Sequence, residues 1–244
     1  MSVTSYSITD IGRQRQMNQD YVFTSEVPVG NLPNLFMVAD GMGGYKAGEY
    51  ASKCTVETIV NEVSFSDEAS PIRLFKNAIQ CANSIIRLKS TSDDNYKGMG
   101  TTLVAGSFDG SLLTVANVGD SRLYLFNGSL KQITTDHSLV EEMIRMGELD
   151  RADARTHPDK NIITRAVGVV DQVDVDFFEV EDITNGDIIL LCSDGLTNMV
   201  SDEEISEVLG QNMSLEEKAR ILVDTANAHG GKDNIGVVLA ELFL

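Results

Sequence analysis

Apolar residues in this chain follow two patterns, short continuous runs that stop at turn residues and longer stretches with helical spacing. The run from Leu35 to Ala39 is typical of a buried strand. Asp109-Gly110 and Asn127-Gly128 are strong turn signals that indicate β-hairpins, so we expect antiparallel sheets. The positions predicted as strands are 4–10, 20–25, 35–39, 101–108, 111–118, 121–126, 162–167, 173–180, 187–192 and 235–243.

Helical spacing recurs in two stretches that follow the third predicted strand. The first apolar stripe consists of Val56, Ile59, Val60 and Val63, and the second begins after Pro71. We expect these two long helices to pack against each other as an antiparallel pair.

Shorter helices are predicted from the signals at their ends. A helix over about 138–146 is expected to end at Gly147, a residue type that suits a helix C-cap. Ser201 and Ser214 each stand three residues before a glutamate, as in a capping box, so two further helices should begin there. Because the helices are grouped and do not alternate with the strands, the order of elements excludes a Rossmann-like pattern and predicts an α+β fold.

The composition is that of a globular protein with a strongly acidic surface. We predict a single domain over residues 1–244, because no linker, repeat or low-complexity segment divides the chain. Lys and Arg number 19 against 37 Asp and Glu, which gives a formal net charge of −18. The phosphates of a nucleic acid would be repelled by this charge, so we expect no nucleic-acid partner.

Cysteine usage and the lack of a targeting segment predict a cytoplasmic protein. Cys54, Cys81 and Cys192 are scattered and form no Cys-x-x-Cys pair, which suits a reducing compartment. No basic region followed by an apolar stretch opens the chain, and no apolar run approaches membrane-spanning length. We therefore expect no membrane partner, and we also expect a monomer.

Aspartates mark the ends of several apolar runs. Asp40, Asp120 and Asp194 follow such runs, and Asp233 precedes one. An isolated Asp-Gly pair is most often a turn. Several carboxylates gathered at one end of a sheet, in contrast, form an oxygen cage for hard divalent cations such as Mg²⁺ or Mn²⁺. The sequence therefore predicts a divalent-metal site.

Short motifs follow one another along the chain in a characteristic order. They are Gly12-x-x-Arg15-x-x-Asn18-x-Asp20, Asp40-Gly-Met-Gly-Gly44, Gly100-Thr-Thr102, Asn117-Val-Gly-Asp-Ser-Arg122, Asp136-His-Ser138, Cys192-Ser-Asp-Gly-Leu196 and Gly231-Lys-Asp-Asn-Ile235. Each motif alone is weak. The ordered set, which runs from about residue 5 to 243, resembles the metal-dependent serine/threonine protein phosphatases of the type 2C class, and the compact bacterial members in particular.

This resemblance implies a fold and a reaction. The fold would be a four-layer αββα sandwich, with two central antiparallel sheets flanked by helix pairs and a flap over about 145–170. The reaction would be hydrolysis of phosphoserine and phosphothreonine in proteins, by in-line attack of a water or hydroxide that bridges two Mn²⁺ or Mg²⁺ ions. The implied partners are phosphorylated proteins and a bacterial serine/threonine kinase of the eukaryotic-like type, whose signalling the enzyme would oppose.

The resemblance also assigns metal ligands. Asp40 would bridge both ions, and the carbonyl oxygen of Gly41 would complete one coordination shell. Asp194 and Asp233 would hold the ion nearer the attacking water. Asp20 would act mainly by orienting waters around the ions.

Two further roles are implied at the edge of this set. Asp120, together with Asp194, would supply a third and weaker ion. Arg15 would clamp the phosphate, because a guanidinium fork matches two phosphate oxygens and stays charged at any working pH. The alternative for Arg15 is a surface arginine in a turn.

Tyr45 departs from the family pattern. Many relatives have at this position a histidine that is proposed to protonate the leaving alkoxide. A phenol has an ordinary pKa of about 10, against about 6.5 for imidazole, so it is poorly matched to this task at neutral pH. Three interpretations stay open: Tyr45 is the acid, a water held by a metal ion is the acid, or protonation is weakly assisted. Simple packing of Tyr45 over the site is an equal alternative.

Two other classes of function compete with hydrolysis of phosphoproteins. A phosphatase-like domain that has lost turnover and only binds phosphoproteins would account for Tyr45, but it has no need of the full set of metal-directed carboxylates. A two-metal nuclease is opposed by the acidic charge. Metal-dependent hydrolysis of a phosphopeptide would favour the phosphatase over the binding module. An assay against nucleic acid tests the nuclease.

Overall fold

The computed structural model describes residues 2–44 and 46–243, which form two β-sheets and several helices. The strands are β1 (Ser2–Asp10), β2 (Asp20–Ser25), β3 (Leu35–Met42), β4 (Gly100–Thr101), β5 (Leu103–Phe108), β6 (Leu113–Val118), β7 (Arg122–Phe126), β8 (Leu130–Gln132), β9 (Asp176–Val180), β10 (Asp187–Cys192) and β11 (Ile235–Phe243). The helices are α1 (Ala47–Ser64), α2 (Pro71–Ser92), α3 (Leu139–Met146), α4 (Arg151–Ala154), α5 (Asp194–Thr197), α6 (Asp202–Leu209) and α7 (Leu215–Ala228), with a 3₁₀ turn at Asp94–Tyr96.

Both sheets are antiparallel. One has the strand order β1-β11-β10-β7-β8, and the other has the order β2-β3-β5-β6-β9, with β4 paired to β3. The predicted α+β fold with two antiparallel sheets is confirmed.

Alternate residues of β3 face opposite sides of its sheet. Leu35, Met37 and Ala39 pack with side chains of α1 and α2, whereas Phe36 and Val38 pack between the two sheets. All five are fully buried. A strand with two covered faces has no solvent side, which explains why its sequence is continuously apolar and does not alternate.

The other sheet is covered in the same way. In β10, Leu190 and Cys192 pack with α6 and α7, whereas Ile189 and Leu191 face the sheet that contains β3. The resulting order of layers is helix pair, sheet, sheet and helix pair, which confirms the predicted αββα sandwich. No helix in the described part of the chain is long and apolar enough to span a membrane.

Helix ends follow the signals in the sequence. Ser138 caps α3, and Gly147 ends it with a φ of 76°, a left-handed conformation that glycine adopts without strain. Ser201 and Ser214 both form the predicted capping boxes at the starts of α6 and α7.

The strand predicted over 162–167 is wrong. Within the described part of the chain, this segment makes only two isolated bridges, between Ser138 and Ile163 and between Thr101 and Val167. The two bridges reach different parts of the chain, so the segment has no single partner strand among the described residues. The short elements α4, α5 and β8 were not predicted, because three or four residues are too few to show a periodic pattern.

Asn34 holds the end of β5 from within the core and generates a stability prediction. It is fully buried, its Nδ2 donates to the carbonyl of Phe108 at 2.7 Å, and its Oδ1 accepts from the amide of Phe108 at 2.8 Å. Asn34→Ala would leave both backbone groups buried without a partner, so we expect a loss of about 3 kcal/mol in the free energy of unfolding.

Denaturant titration followed by circular dichroism measures this loss. Asn127→Ala is the control, since Asn127 lies exposed in a hairpin turn and should change stability by less than about 0.5 kcal/mol. Equal losses in the two variants would contradict the assigned role of Asn34.

Candidate active site

Strand ends from both sheets meet at one edge of the sandwich. Asp20 opens β2 and lies directly opposite Asp40 of β3 in the antiparallel register. In the other sheet, β10 ends just before Asp194, and β11 begins just after Asp233. These two strands are neighbours, with Cys192 opposite Val237. The pairing therefore brings carboxylates that are distant in sequence to one place.

Ser193 connects the two sheets at this edge. Its hydroxyl donates to Oδ2 of Asp20 at 2.6 Å and accepts from the amide of Gly236 at 2.8 Å. Asp20 belongs to one sheet, whereas Gly236 belongs to the other and Ser193 directly follows β10 of that sheet. Sequence reasoning did not assign this role, although Ser193 stands inside the Cys192–Leu196 motif.

Asn234 holds the loop that carries Arg15. Its Nδ2 donates to the carbonyls of Ile11 and Met17 at 2.9 and 2.8 Å, and its Oδ1 accepts from the amide of Gln19 at 2.9 Å. This second unassigned residue ties the start of β11 to the loop between β1 and β2. The position of Asn234 directly after Asp233 was the one signal in the sequence that could have indicated this role.

Two glycines let backbone segments approach closely around the carboxylates. A Cβ atom at Gly41 would lie 2.0 Å from the carbonyl oxygen of Gly48, and one at Gly195 would lie 1.8 Å from that of Asn234. Any side chain would force these segments apart. The glycines next to Asp40 and Asp194 are therefore required by packing as well as by the turns.

A cleft of 290 Å³ opens at this edge. Most of the residues predicted for the site line it, namely Arg15, Asp40, Gly41, Asp120, Asp194 and Asp233. Asp20 lies behind the cleft and is only 6% exposed. Tyr45, the predicted candidate for the general acid, lies outside the described residues.

Burial and mutual repulsion oppose ionisation of these carboxylates. Burial raises the pKa of Asp20 to about 7, of Asp120 to about 8 and of Asp194 to about 6. Burial also raises the pKa of Asp40 well above its ordinary value. The charges of neighbouring aspartates add to the effect in each case. The cleft is therefore a site of concentrated negative charge that positive charge would stabilise.

Two of these carboxylate oxygens have no hydrogen-bond partner among the described residues. They are Oδ1 of Asp20 and Oδ1 of Asp194, and both are buried. An unpaired buried carboxylate oxygen is costly, and it is also the donor type that Mg²⁺ and Mn²⁺ prefer. The donor set is all oxygen, without cysteine or histidine, so it fits hard divalent cations.

The carboxylates share the cleft without forming a ready-made coordination shell. Across residues 2–44 and 46–243, no three acidic, histidine or cysteine side chains converge closely enough to ligate one ion. Three of them are engaged elsewhere: Asp233 with Nη2 of Arg15 at 2.6 Å, Asp194 with Nδ2 of Asn198 at 2.9 Å, and Asp20 with Ser193. Binding of a cation would compete with these hydrogen bonds.

Arg15 lies at the rim of the cleft. Its side chain is 51% exposed, and one end of the guanidinium contacts Asp233. A half-exposed guanidinium beside buried carboxylates can bind an anionic ligand that enters from solvent.

His137 positions the turn that carries Asp120. Its Nδ1 accepts from the amide of Gly119 at 2.9 Å, and its own amide donates to the carbonyl of Gly119 at 2.9 Å. Burial holds the pKa of His137 below its ordinary value, which favours the neutral ring that this acceptor role needs. These contacts give His137 a structural role at the site.

Comparisons with known proteins agree with this architecture. The sequence profile described as "Protein phosphatase 2C" matches residues 12–235. The serine/threonine phosphatase stp of Listeria monocytogenes is 46% identical over 240 residues, which cover 96% of this chain and 93% of that protein.

Solved structures show the same likeness. The Streptococcus agalactiae serine/threonine phosphatase superposes with a TM-score of 0.91 at 38% identity, covering 98% of this chain and 99% of that one. The catalytic domain of the serine/threonine protein phosphatase PstP, in complex with two manganese ions, superposes with a TM-score of 0.87 at 33% identity, covering 100% and 99%. The chain therefore belongs to the protein phosphatase 2C family, and its enzyme class is that of a protein serine/threonine phosphatase.

The raised pKa of Asp194 generates a prediction about stability. A pKa of about 6, against an ordinary 3.8, means that ionisation at pH 8 costs roughly 3 kcal/mol. Solvent screening at this partly open side chain reduces the cost to about 2 kcal/mol. In chelator at pH 8, Asp194→Asn should therefore be more stable than the wild type by about 2 kcal/mol.

The gain should shrink at pH 5, because the native carboxyl is then largely protonated and its charge no longer opposes folding. Chemical denaturation at pH 8 and at pH 5 measures the difference in unfolding free energy between the variant and the wild type. The exposed Asp224→Asn serves as control and should leave stability unchanged. A destabilised Asp194→Asn at pH 8 would show that repulsion does not dominate at this position.

Proposed function

We propose that the cleft hydrolyses phosphoserine and phosphothreonine in proteins with the help of two divalent cations, Mn²⁺ or Mg²⁺. The observation that carries this proposal is the set of buried aspartates with raised pKa values that surrounds one cleft, with Arg15 at its rim. The PstP catalytic domain, which was solved with two manganese ions, supports the choice of cofactor.

We assign the ligands as the resemblance implies. Asp40, the carbonyl oxygen of Gly41, Asp194 and Asp233 would hold the two ions. Asp20 would act mainly by orienting waters around them. When bound, such ions acidify an attacking water and neutralise the phosphate oxygens. The buried oxygens of Asp20 and Asp194 that lack hydrogen-bond partners support this assignment.

A third cation would bind weakly near Asp120 and Asp194. Both carboxylates line the cleft, and the charge of Asp194 is one of the causes that raise the pKa of Asp120. The turn of Asp120 is held by His137, so this carboxylate has a defined position.

Arg15 would bind the phosphate of the substrate. A guanidinium matches two phosphate oxygens, and the half-exposed position of Arg15 leaves donors free for a ligand from solvent. The contact with Asp233 orients the guanidinium toward the cleft. Tyr45 keeps its place as one candidate proton donor for the leaving oxygen.

The biological setting is also a proposal. A serine/threonine kinase would produce the phosphorylated substrates, as the resemblance to the bacterial enzymes implies. A cytoplasmic location rests on the cysteines, since Cys54, Cys81 and Cys192 are all free thiols. We further propose that residues 1–244 act as one domain and as a monomer.

Metal dependence is the central test of this proposal. Hydrolysis of a phosphothreonine peptide should be fast with Mn²⁺ and fall to background with chelator, because the carboxylates alone would repel the phosphate. Asp194→Asn should lower kcat by about 100-fold or more. Phosphate release measured with malachite green gives the rates.

Each outcome of this test decides between the functions considered. Activity retained in chelator would refute a mechanism that depends on metal ions. No turnover in any condition, together with binding of the phosphopeptide, would favour the phosphoprotein-binding module.

The proposed phosphate clamp can be tested separately. Arg15→Met should lower kcat/KM for the peptide by about 100-fold, since a charged and bidentate contact with phosphate is lost. Arg15→Lys should recover only part of this loss, because an ammonium group lacks the planar fork. Arg13→Met, a neighbouring arginine on the same loop, is the matched control. An Arg15→Met variant with unchanged kcat/KM would place Arg15 outside the substrate site.

A further inference from the structure

A second cleft, also of 290 Å³, adjoins the first one. The two clefts share Asp120 and Asp194 as lining residues. The chain after α4 passes between them, since Lys160 lines the second cleft whereas Asn161 lines the first. A group bound in the second cleft would therefore lie next to the site of hydrolysis.

Two of the four cations that line this second cleft are already neutralised. Arg122 contacts both carboxylate oxygens of Asp136, at 3.0, 3.0 and 2.7 Å. Arg151 contacts Glu141 at 2.7 Å. These pairs form part of the wall of the cleft and leave little charge for a ligand.

Arg155 and Lys160 are different, because neither has an ion-pair partner within 4.0 Å among the described residues. Asp202 and Glu203 also line the cleft, yet they lie beyond that distance. Asp202 accepts a hydrogen bond from Tyr124 at 3.2 Å.

The two cations repel each other. The pKa of Lys160 is lowered by burial first, and then by the charges of Arg155 and Lys232, whereas the charge of Asp194 raises it. Arg155 is exposed and Lys160 is half-buried, so solvent screens the repulsion only in part at Lys160. A bound anion would offset this repulsion, just as cations would offset it among the aspartates.

We propose that Arg155 and Lys160 form a subsite for a second anionic group of the substrate, close in sequence to the phosphorylated residue. The group would be a carboxylate or a second phosphate. An extended peptide advances about 3.3 to 3.6 Å per residue, so a side chain a few residues away reaches an adjoining cleft. This inference rests on the proposed function, and it adds a preference for acidic or doubly phosphorylated segments.

Matched peptides test the subsite. A phosphothreonine peptide with glutamine at the neighbouring positions is compared with versions that carry glutamate or a second phosphothreonine. The wild type should prefer the anionic peptides by about fivefold in kcat/KM. The preference should shrink in 0.5 M salt, a concentration at which ionic attraction is screened over about 4 to 5 Å.

The Arg155→Gln/Lys160→Gln double variant should lose this preference and keep its rate with p-nitrophenyl phosphate, which has no neighbouring group. Arg73→Gln/Lys76→Gln on the exposed side of α2 removes the same net charge and should keep the preference. The comparison of the glutamate and second-phosphate arms identifies which anion is recognised.

The outcomes distinguish this subsite from the proposed function. Hydrolysis of the neutral peptide without preference for either anion would overturn the subsite alone, as would a preference that survives in the Arg155/Lys160 variant. If no peptide is hydrolysed, the proposed function fails. In that case calorimetry measures the affinities of the same peptides. The subsite is then tested by the affinity ratio of the anionic peptides to the neutral peptide, in the wild type and in the double variant.

Discussion

Repulsion among buried carboxylates is the interaction on which the rest of this structure depends. Asp20, Asp40, Asp120 and Asp194 each have a raised pKa, first because of burial and then because of the charges of neighbouring aspartates. Such a cluster is unfavourable on its own, so the surrounding fold must hold it in place. The same property makes the cluster a strong site for divalent cations. Such cations stabilise the ionised carboxylates, whereas the protein alone disfavours them.

The sandwich holds the cluster because its ligands come from both sheets. Asp20 and Asp40 are opposite one another in one sheet, while Asp194 and Asp233 flank neighbouring strands of the other. Ser193 joins the two sets through a hydrogen bond to Asp20. The fully buried layer between the sheets fixes their separation, so packing far from the cleft determines where the carboxylates lie.

Most of the fold could be predicted because its signals are local. Capping boxes at Ser201 and Ser214 depend only on residues within one helical turn, and a strand covered on both faces shows as an apolar run. The strand predicted over 162–167 failed because pairing depends on a partner that the segment does not have. The roles of Ser193 and Asn234 were missed for a related reason, since their partners are distant in sequence.

The sequence by itself determined the α+β class, the family and the identity of the aspartates, because these depend on residue type, order and short-range spacing. Only the tertiary structure decided that the carboxylates share one cleft, that Arg15 contacts Asp233, and that Arg155 and Lys160 lack ion-pair partners among the described residues. Distances between chain segments that are far apart in sequence are set by packing of the whole core. A pattern along the chain carries no measure of them.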